Sequence, residues 1–183
     1  MGRLRAIPGS ASWIIVCVQG LHQFYRRRTN DVVASWMTRQ NRELAIADNI
    51  EYVSRIVRSV SEEFTAGPGT VVTGFSQGAA MAYRAAVTLD RAVAGVIACG
   101  GDVPPELEAK ALARIPRALL GRGLKDEWYS AEKLASDEQR LRDAGVSAQI
   151  VALDAAHEWT PEFDVACGRF LQTSLADKQT RQD

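Results

Sequence analysis

The chain has 183 residues, a length that suits one domain with a single sizeable core. Its hydrophobic fraction of 46% and charged fraction of 24% are those of a folded protein and exclude disorder as its main state. Lys and Arg balance Asp and Glu at 22 each, and a formal net charge of zero argues against a dedicated nucleic-acid binder.

Residues 1–12 read as a polar, irregular start. Trp13-Ile14-Ile15-Val16-Cys17-Val18 is a continuous apolar run rich in β-branched residues, which predicts a parallel strand covered on both faces. The run is far short of the ~20 residues that span a bilayer. No clean small-residue cleavage site follows it, so it does not read as an export signal, and the expected location is the cytoplasm without stable membrane insertion. Cys17, Cys99 and Cys167 lack metal-ligand spacing, and Cys17 and Cys99 lie in apolar runs that make them core residues. No metal is expected. Residues 20–36 show no sustained periodicity and predict a long polar loop, in which Arg26, Arg27 and Arg28 are a solvated run.

Ile46, Ile50, Val53, Val57, Val60 and Phe64 recur at spacings of three and four, placing one apolar stripe on a helix. Asp48 and Asn49 are expected near its start, where side-chain acceptors suit the free amides. Gly67, Pro68 and Gly69 are expected to stop it. Beyond lie a strand at residues 70–73, a helix at 79–86, a strand at 92–98 and an apolar run at 115–120. A helix at 130–144, a strand at 147–153 and a final helix from Pro161 to about Leu175 complete the order. Strand and helix alternate throughout, the pattern of an open, mostly parallel sheet with helices on both faces. The expected division is an irregular segment 1–12, one α/β domain over 13–176, and a polar, fraying tail 177–183.

Gly74-Phe75-Ser76-Gln77-Gly78 falls between a predicted strand and a predicted helix. That context suits a nucleophile, because a sharp strand-to-helix turn projects the serine oxygen and needs small neighbours. The Gln77 amide opens the helix and could face an oxyanion. A general base that is neutral near pH 7 calls for histidine, and the chain has only His22 and His157. The order serine, acid, histidine selects His157, in the loop after the last strand, and leaves His22 as a loop or rim residue. For the acid, Asp126 and Glu127 share one loop and Asp154 precedes the histidine loop. Spacing alone does not separate the first two.

Gly74-Phe75-Ser76-Gln77-Gly78-Ala79-Ala80 resembles the nucleophile motif of the phospholipase/carboxylesterase family, a group of α/β-hydrolases that includes bacterial carboxylesterases and acyl-protein thioesterases. Val16-Cys17-Val18-Gln19-Gly20, Ala34-Ser35-Trp36-Met37, Gly121-Arg122-Gly123-x-x-Asp126-Glu127 and Ala156-His157-Glu158 are similar to further segments of that family, in the same order, over residues 13–175. The resemblance implies hydrolysis of small-molecule carboxylic esters or thioesters through an acyl-enzyme, with no cofactor. By motif position it makes Asp126 the acid.

One departure from the family stands out. Members carry an earlier strand ending in a His-Gly loop whose amide is the second oxyanion donor, and counting back from Cys17 passes Met1. The chain is therefore expected to be an α/β-hydrolase shortened at its start, a weak esterase with an open sheet edge that favours homo-oligomers. Gly20-Leu21 is the alternative site for the missing loop. The alternative function is an inactive hydrolase-fold protein that binds or regulates a partner. A dinucleotide-binding sheet is disfavoured because Gly95, Gly100 and Gly101 do not form the required glycine fingerprint.

Overall fold

The computed structural model describes residues 2–64 and 69–179. In chain order the elements are α1 (Gly2–Ala6), a 3-10 turn at Ser10–Ser12, β1 (His22–Tyr25), β2 (Val32–Ser35), α2 (Arg42–Glu63), β3 (Thr70–Phe75), α3 (Gln77–Thr88) and β4 (Val93–Cys99). They continue with α4 (Ala109–Leu112), β5 (Arg117–Gly123), α5 (Ala131–Asp143), β6 (Ser147–Leu153) and α6 (Pro161–Gln179). They belong to two compact units, Met1–Ile15 with Ala66–Asp183, and Val16–Thr65.

The first unit is built on a four-stranded parallel sheet in the order β3-β4-β5-β6. Because successive strands are neighbours and crossovers are right-handed, α3, α4 and α5 lie on one face of this sheet. On the other face α6 brings Phe163, Cys167, Phe170 and Leu171 against Ile97 and Cys99 of β4, Leu119 of β5 and Leu153 of β6. The intervening Val96, Ala98, Ala118 and Leu120 are equally buried, and the period of two puts them on the opposite face. Cover on both sides explains why β4 and the centre of β5 are unbroken apolar runs. The Arg117 guanidinium lies 4.0 Å over the Phe170 ring, which fixes α6 across β5.

Residues 1–12 are more ordered than their polarity suggests. Leu4 of α1 and Ile7 pack into the core beneath α6, where Ile7 is buried. Their spacing of three puts both on one face of a single turn.

The second unit holds an antiparallel hairpin and one helix. β1 pairs with β2 from His22↔Ser35 to Tyr25↔Val32. The turn is closed by the Arg26 N–H on the Asp31 carbonyl (2.9 Å) and the Asn30 N–H on the Arg26 carbonyl (2.8 Å), with Asn30 at a left-handed φ of 59°. On α2 the Asn49 side chain is fully buried. Its oxygen accepts from the Leu21 N–H at 3.1 Å, and its nitrogen donates to the carbonyls of Trp36 (3.0 Å) and Ala45 (2.8 Å). One carboxamide thus ties both ends of the hairpin to the helix.

Four expectations are corrected here. Residues 13–18 form no ladder with any described strand, Ile14 and Val16 are exposed, and Cys17 is an exposed thiol. An apolar run supplies propensity, but a strand exists only where a neighbour accepts its hydrogen bonds. Residues 20–36 are a hairpin rather than a loop. Its four-residue strands expose Phe24, Tyr25 and Val32, so no inside-outside alternation marks them. Helix α2 starts at Arg42, after Asn41 in the left-handed region without a side-chain cap, so Asp48 and Asn49 are interior residues. The last helix runs on to Gln179. Gly67 and Pro68, expected to end α2, and residues 180–183 of the tail lie outside the described residues.

Candidate active site

β3 ends at Phe75 and α3 begins at Gln77, so Ser76 alone forms the turn. Its backbone sits at φ 54°, ψ −122°, a region that costs a non-glycine residue about 1–3 kcal/mol and persists only when its surroundings enforce it. Here they do. The Ser76 N–H donates to the Cys99 carbonyl at 2.8 Å, and its carbonyl accepts from the Ala79 N–H at 2.9 Å. A Cβ on Gly74 would lie 2.0 Å from the Gly78 carbonyl oxygen, and one on Gly101 would lie 2.3 Å from that of Ser76. The turn closes because both positions lack a side chain.

The loops after β5 and β6 run side by side. The Leu124 N–H donates to the Leu153 carbonyl at 2.8 Å and the Lys125 N–H to the Ala155 carbonyl at 2.9 Å. Asp126 and His157 are carried on these loops, at the same C-terminal edge of the parallel sheet as Ser76. His157 Nε2 lies 2.8 Å from Ser76 Oγ, and His157 Nδ1 lies 2.9 Å from Asp126 Oδ2. The ring of Phe75 stands 4.9 Å from the imidazole. All of these residues belong to the first unit.

The Asp126 side chain is fully buried. Burial alone would raise its pKa. The amides of Tyr129 and Trp128, donating to Oδ1 at 3.0 and 2.9 Å, and the His157 imidazole outweigh burial and hold the carboxyl below its ordinary value. An ionised carboxylate only accepts, so Nδ1 carries the imidazole proton and Nε2 is left as the acceptor for the Ser76 hydroxyl.

Of the three candidate acids, Asp126 is the one that meets His157. Glu127 is exposed, and Asp154 is exposed and paired with Lys125 at 2.8 Å. Gln77 is the first residue of α3, where helix amides have no partner within the helix. His22 lies on β1 in the other unit. Trp159 is a packing residue, edge-on to Phe163 at 4.8 Å with its indole N–H on Asp164 at 2.7 Å. Trp128 is 76% exposed beside Asp126. The supporting amides of Trp128 and Tyr129 escape motif reading, because any residue type offers a backbone N–H. An aspartate two residues before the first and three before the second, a turn-forming residue, is the one local hint. Among the described residues no three His, Cys, Asp or Glu side chains are grouped to hold a metal ion, and no helix is long and apolar enough to cross a membrane.

A parallel sheet flanked by helices, with a serine on the turn after one strand, defines an α/β-hydrolase fold. The chain belongs to the phospholipase/carboxylesterase family, whose sequence profile matches residues 30–174. Solved structures agree on the fold. Arabidopsis thaliana SOBER1 is 16% identical with a TM-score of 0.73, over 94% of this chain and 90% of its own. The Bacillus cereus carboxylesterase is 12% identical with a TM-score of 0.73, over 95% and 81%. Esterase PE8 is 23% identical with a TM-score of 0.62, over 77% and 70%. Comparison with curated proteins gives no match.

Proposed function

We propose that the chain hydrolyses small carboxylic esters or thioesters through an acyl-enzyme on Ser76. The observation that carries this reading is the hydrogen-bonded series Ser76 Oγ, His157 and Asp126, with steps of 2.8 and 2.9 Å. Family membership supports the reaction class.

In this reading His157 Nε2 takes the hydroxyl proton as Ser76 Oγ adds to the acyl carbonyl. The carbonyl oxygen becomes an oxyanion near the start of α3, where the Gln77 amide and the positive helix end would stabilise it. Asp126 holds the imidazolium that forms without taking its proton. The tetrahedral adduct collapses and the alcohol or thiol leaves with the proton from Nε2. A water deprotonated by Nε2 then adds to the acyl carbonyl, the acyl–Oγ bond breaks, and Nε2 returns the proton to Ser76 Oγ as the acid departs. No cofactor takes part in these steps.

The test is turnover of a nitrophenyl acetate and of an acetyl thioester by the purified chain. Ser76→Ala should abolish both, and His157→Ala should lower them about 10²–10⁴-fold, the range of general acid–base catalysis. Equal turnover by wild type and Ser76→Ala would reject the proposal.

A further inference from the structure

Asp137 on α5 is a buried carboxylate that the steps above do not use. Its Oδ2 accepts from the Val103 N–H at 2.9 Å and from the Tyr129 hydroxyl at 3.0 Å, and Arg140 stands 3.6 Å from Oδ1. A charge or acid at a buried place is costly unless its hydrogen bonds are used. Burial dominates and raises the Asp137 pKa, with the Val103 amide, the Tyr129 hydroxyl and Arg140 offsetting part of the rise and Asp102 adding to it. An apolar residue here would leave the buried Val103 N–H and Tyr129 hydroxyl without their acceptor, so the role of the carboxylate lies in what it holds.

It holds two loops that both meet the candidate site. Tyr129 gives its hydroxyl to Asp137 and its backbone N–H to Asp126 Oδ1, so one residue links the two carboxylates. Val103 belongs to the loop after β4, which begins with Gly100 and Gly101. A Cβ on Gly100 would come within 3.1 Å of the His157 ring, and one on Gly101 within 2.3 Å of the Ser76 carbonyl. Arg140, one turn beyond Asp137, binds the carbonyls of Val103 (2.8 Å), Pro104 (2.9 Å) and Leu107 (2.9 Å). Val103 is therefore held through both its N–H and its C=O by residues of α5.

We infer that Asp137 is a positioning residue, which through Tyr129 orients Asp126 against His157 and through Val103 seats the Gly100–Gly101 loop against Ser76 and His157. The inference rests on the proposed hydrolase reading for its catalytic meaning, but the positioning itself is independently observable.

The experiment compares wild type with Tyr129→Phe, Asp137→Asn and Asp137→Ala. Tyr129→Phe removes one oxygen and keeps the amide on Asp126, and far-UV circular dichroism checks folding of each variant. Imidazole ¹⁵N chemical shifts at pH 8, above the ordinary histidine range of about 6.5, report the tautomer of His157, identified by its loss in His157→Ala. In wild type His157 should be the Nδ1–H tautomer. Tyr129→Phe and Asp137→Ala should mix in the Nε2–H form. Each should lower kcat about tenfold with KM little changed, within the roughly 10²-fold that misplacement of a reacting group costs. Asp137→Asn, which keeps an acceptor oxygen, should recover most of the wild-type tautomer and kcat. Folded variants with unchanged tautomer and kcat would overturn the inference, even if their melting temperature fell. So would loss in Asp137→Asn alone, since charge rather than orientation would then be at work. If Asp137→Ala does not fold, Tyr129→Phe decides. A tautomer that responds in a protein without esterase turnover would reject the hydrolase reading and leave the positioning intact.

Discussion

At the scale of single residues, the difference between Asp126 and Glu127 is one of burial. Their carboxylates are adjacent in sequence, yet the Asp126 side chain is fully buried against His157 Nδ1 while Glu127 faces solvent. Asp126→Asn should lower kcat about 10⁴-fold, the cost of presenting the wrong imidazole tautomer to a serine, while Glu127→Gln should change it less than about twofold. Steady-state kinetics on one ester checks both, and a larger loss in Glu127→Gln would contradict the geometry. The serine and histidine candidates were legible in the sequence for different reasons. Ser76 is flagged by glycines at fixed offsets, and His157 is one of only two histidines. Spacing alone made the acid legible only as a loop, because it does not say which of two neighbouring side chains turns inward, and the choice of Asp126 rested on the family resemblance. Asp137 carried no signal, since its partners at Val103 and Tyr129 are a backbone amide and a residue eight positions away.

At the scale of elements, two glycines show how local chemistry sets structure. Helix α5 ends in a Schellman motif, with the Gly145 N–H on the Arg142 carbonyl and the Val146 N–H on the Leu141 carbonyl, both at 2.9 Å, and Gly145 at φ 77°. A Cβ there would meet nothing within 4 Å. Gly145→Ala should therefore cost only the left-handed backbone penalty of about 1–2 kcal/mol and leave turnover unchanged. Gly74→Ala is different in kind, because its Cβ would strike the Gly78 carbonyl. It should cost at least the ~1–3 kcal/mol of an overpacked site and deform the Ser76 turn, so turnover should fall more than stability. Denaturant melts and kinetics on both variants separate the two cases. β4 and the centre of β5 were legible because burial on both faces leaves unbroken apolar runs. The hairpin β1–β2 was not, since its pairing rests on turn hydrogen bonds and on Asn49, a contact across 28 residues from Leu21. The run at residues 13–18 misled for the converse reason, having strand composition while belonging to no sheet among the described residues.

For the whole molecule, the buried carboxylates of Asp126 and Asp137 predict opposite dependences on pH. Asp126 has a folded pKa below its unfolded value of about 3.9, so the folded state binds fewer protons there. Its contribution to stability is complete above that value and is lost as pH falls through the folded pKa. The melting-temperature advantage of wild type over Asp126→Asn should therefore close on acidification. Asp137 has a raised folded pKa, so its contribution is present below the unfolded value and lost as pH rises through the folded one. Asp137→Asn should accordingly gain on wild type as pH rises. Thermal melts of the three proteins across an acid series read both signs, and parallel curves would contradict them.

The central claim is that Ser76 is a nucleophile activated by His157. Its most direct test is the mass of the chain after reaction with a fluorophosphonate, followed by peptide mapping. One adduct per chain on the peptide bearing Ser76, absent in Ser76→Ala and much slower to form in His157→Ala, is the predicted result. No adduct on folded wild-type protein, or an adduct on another residue, would contradict the account.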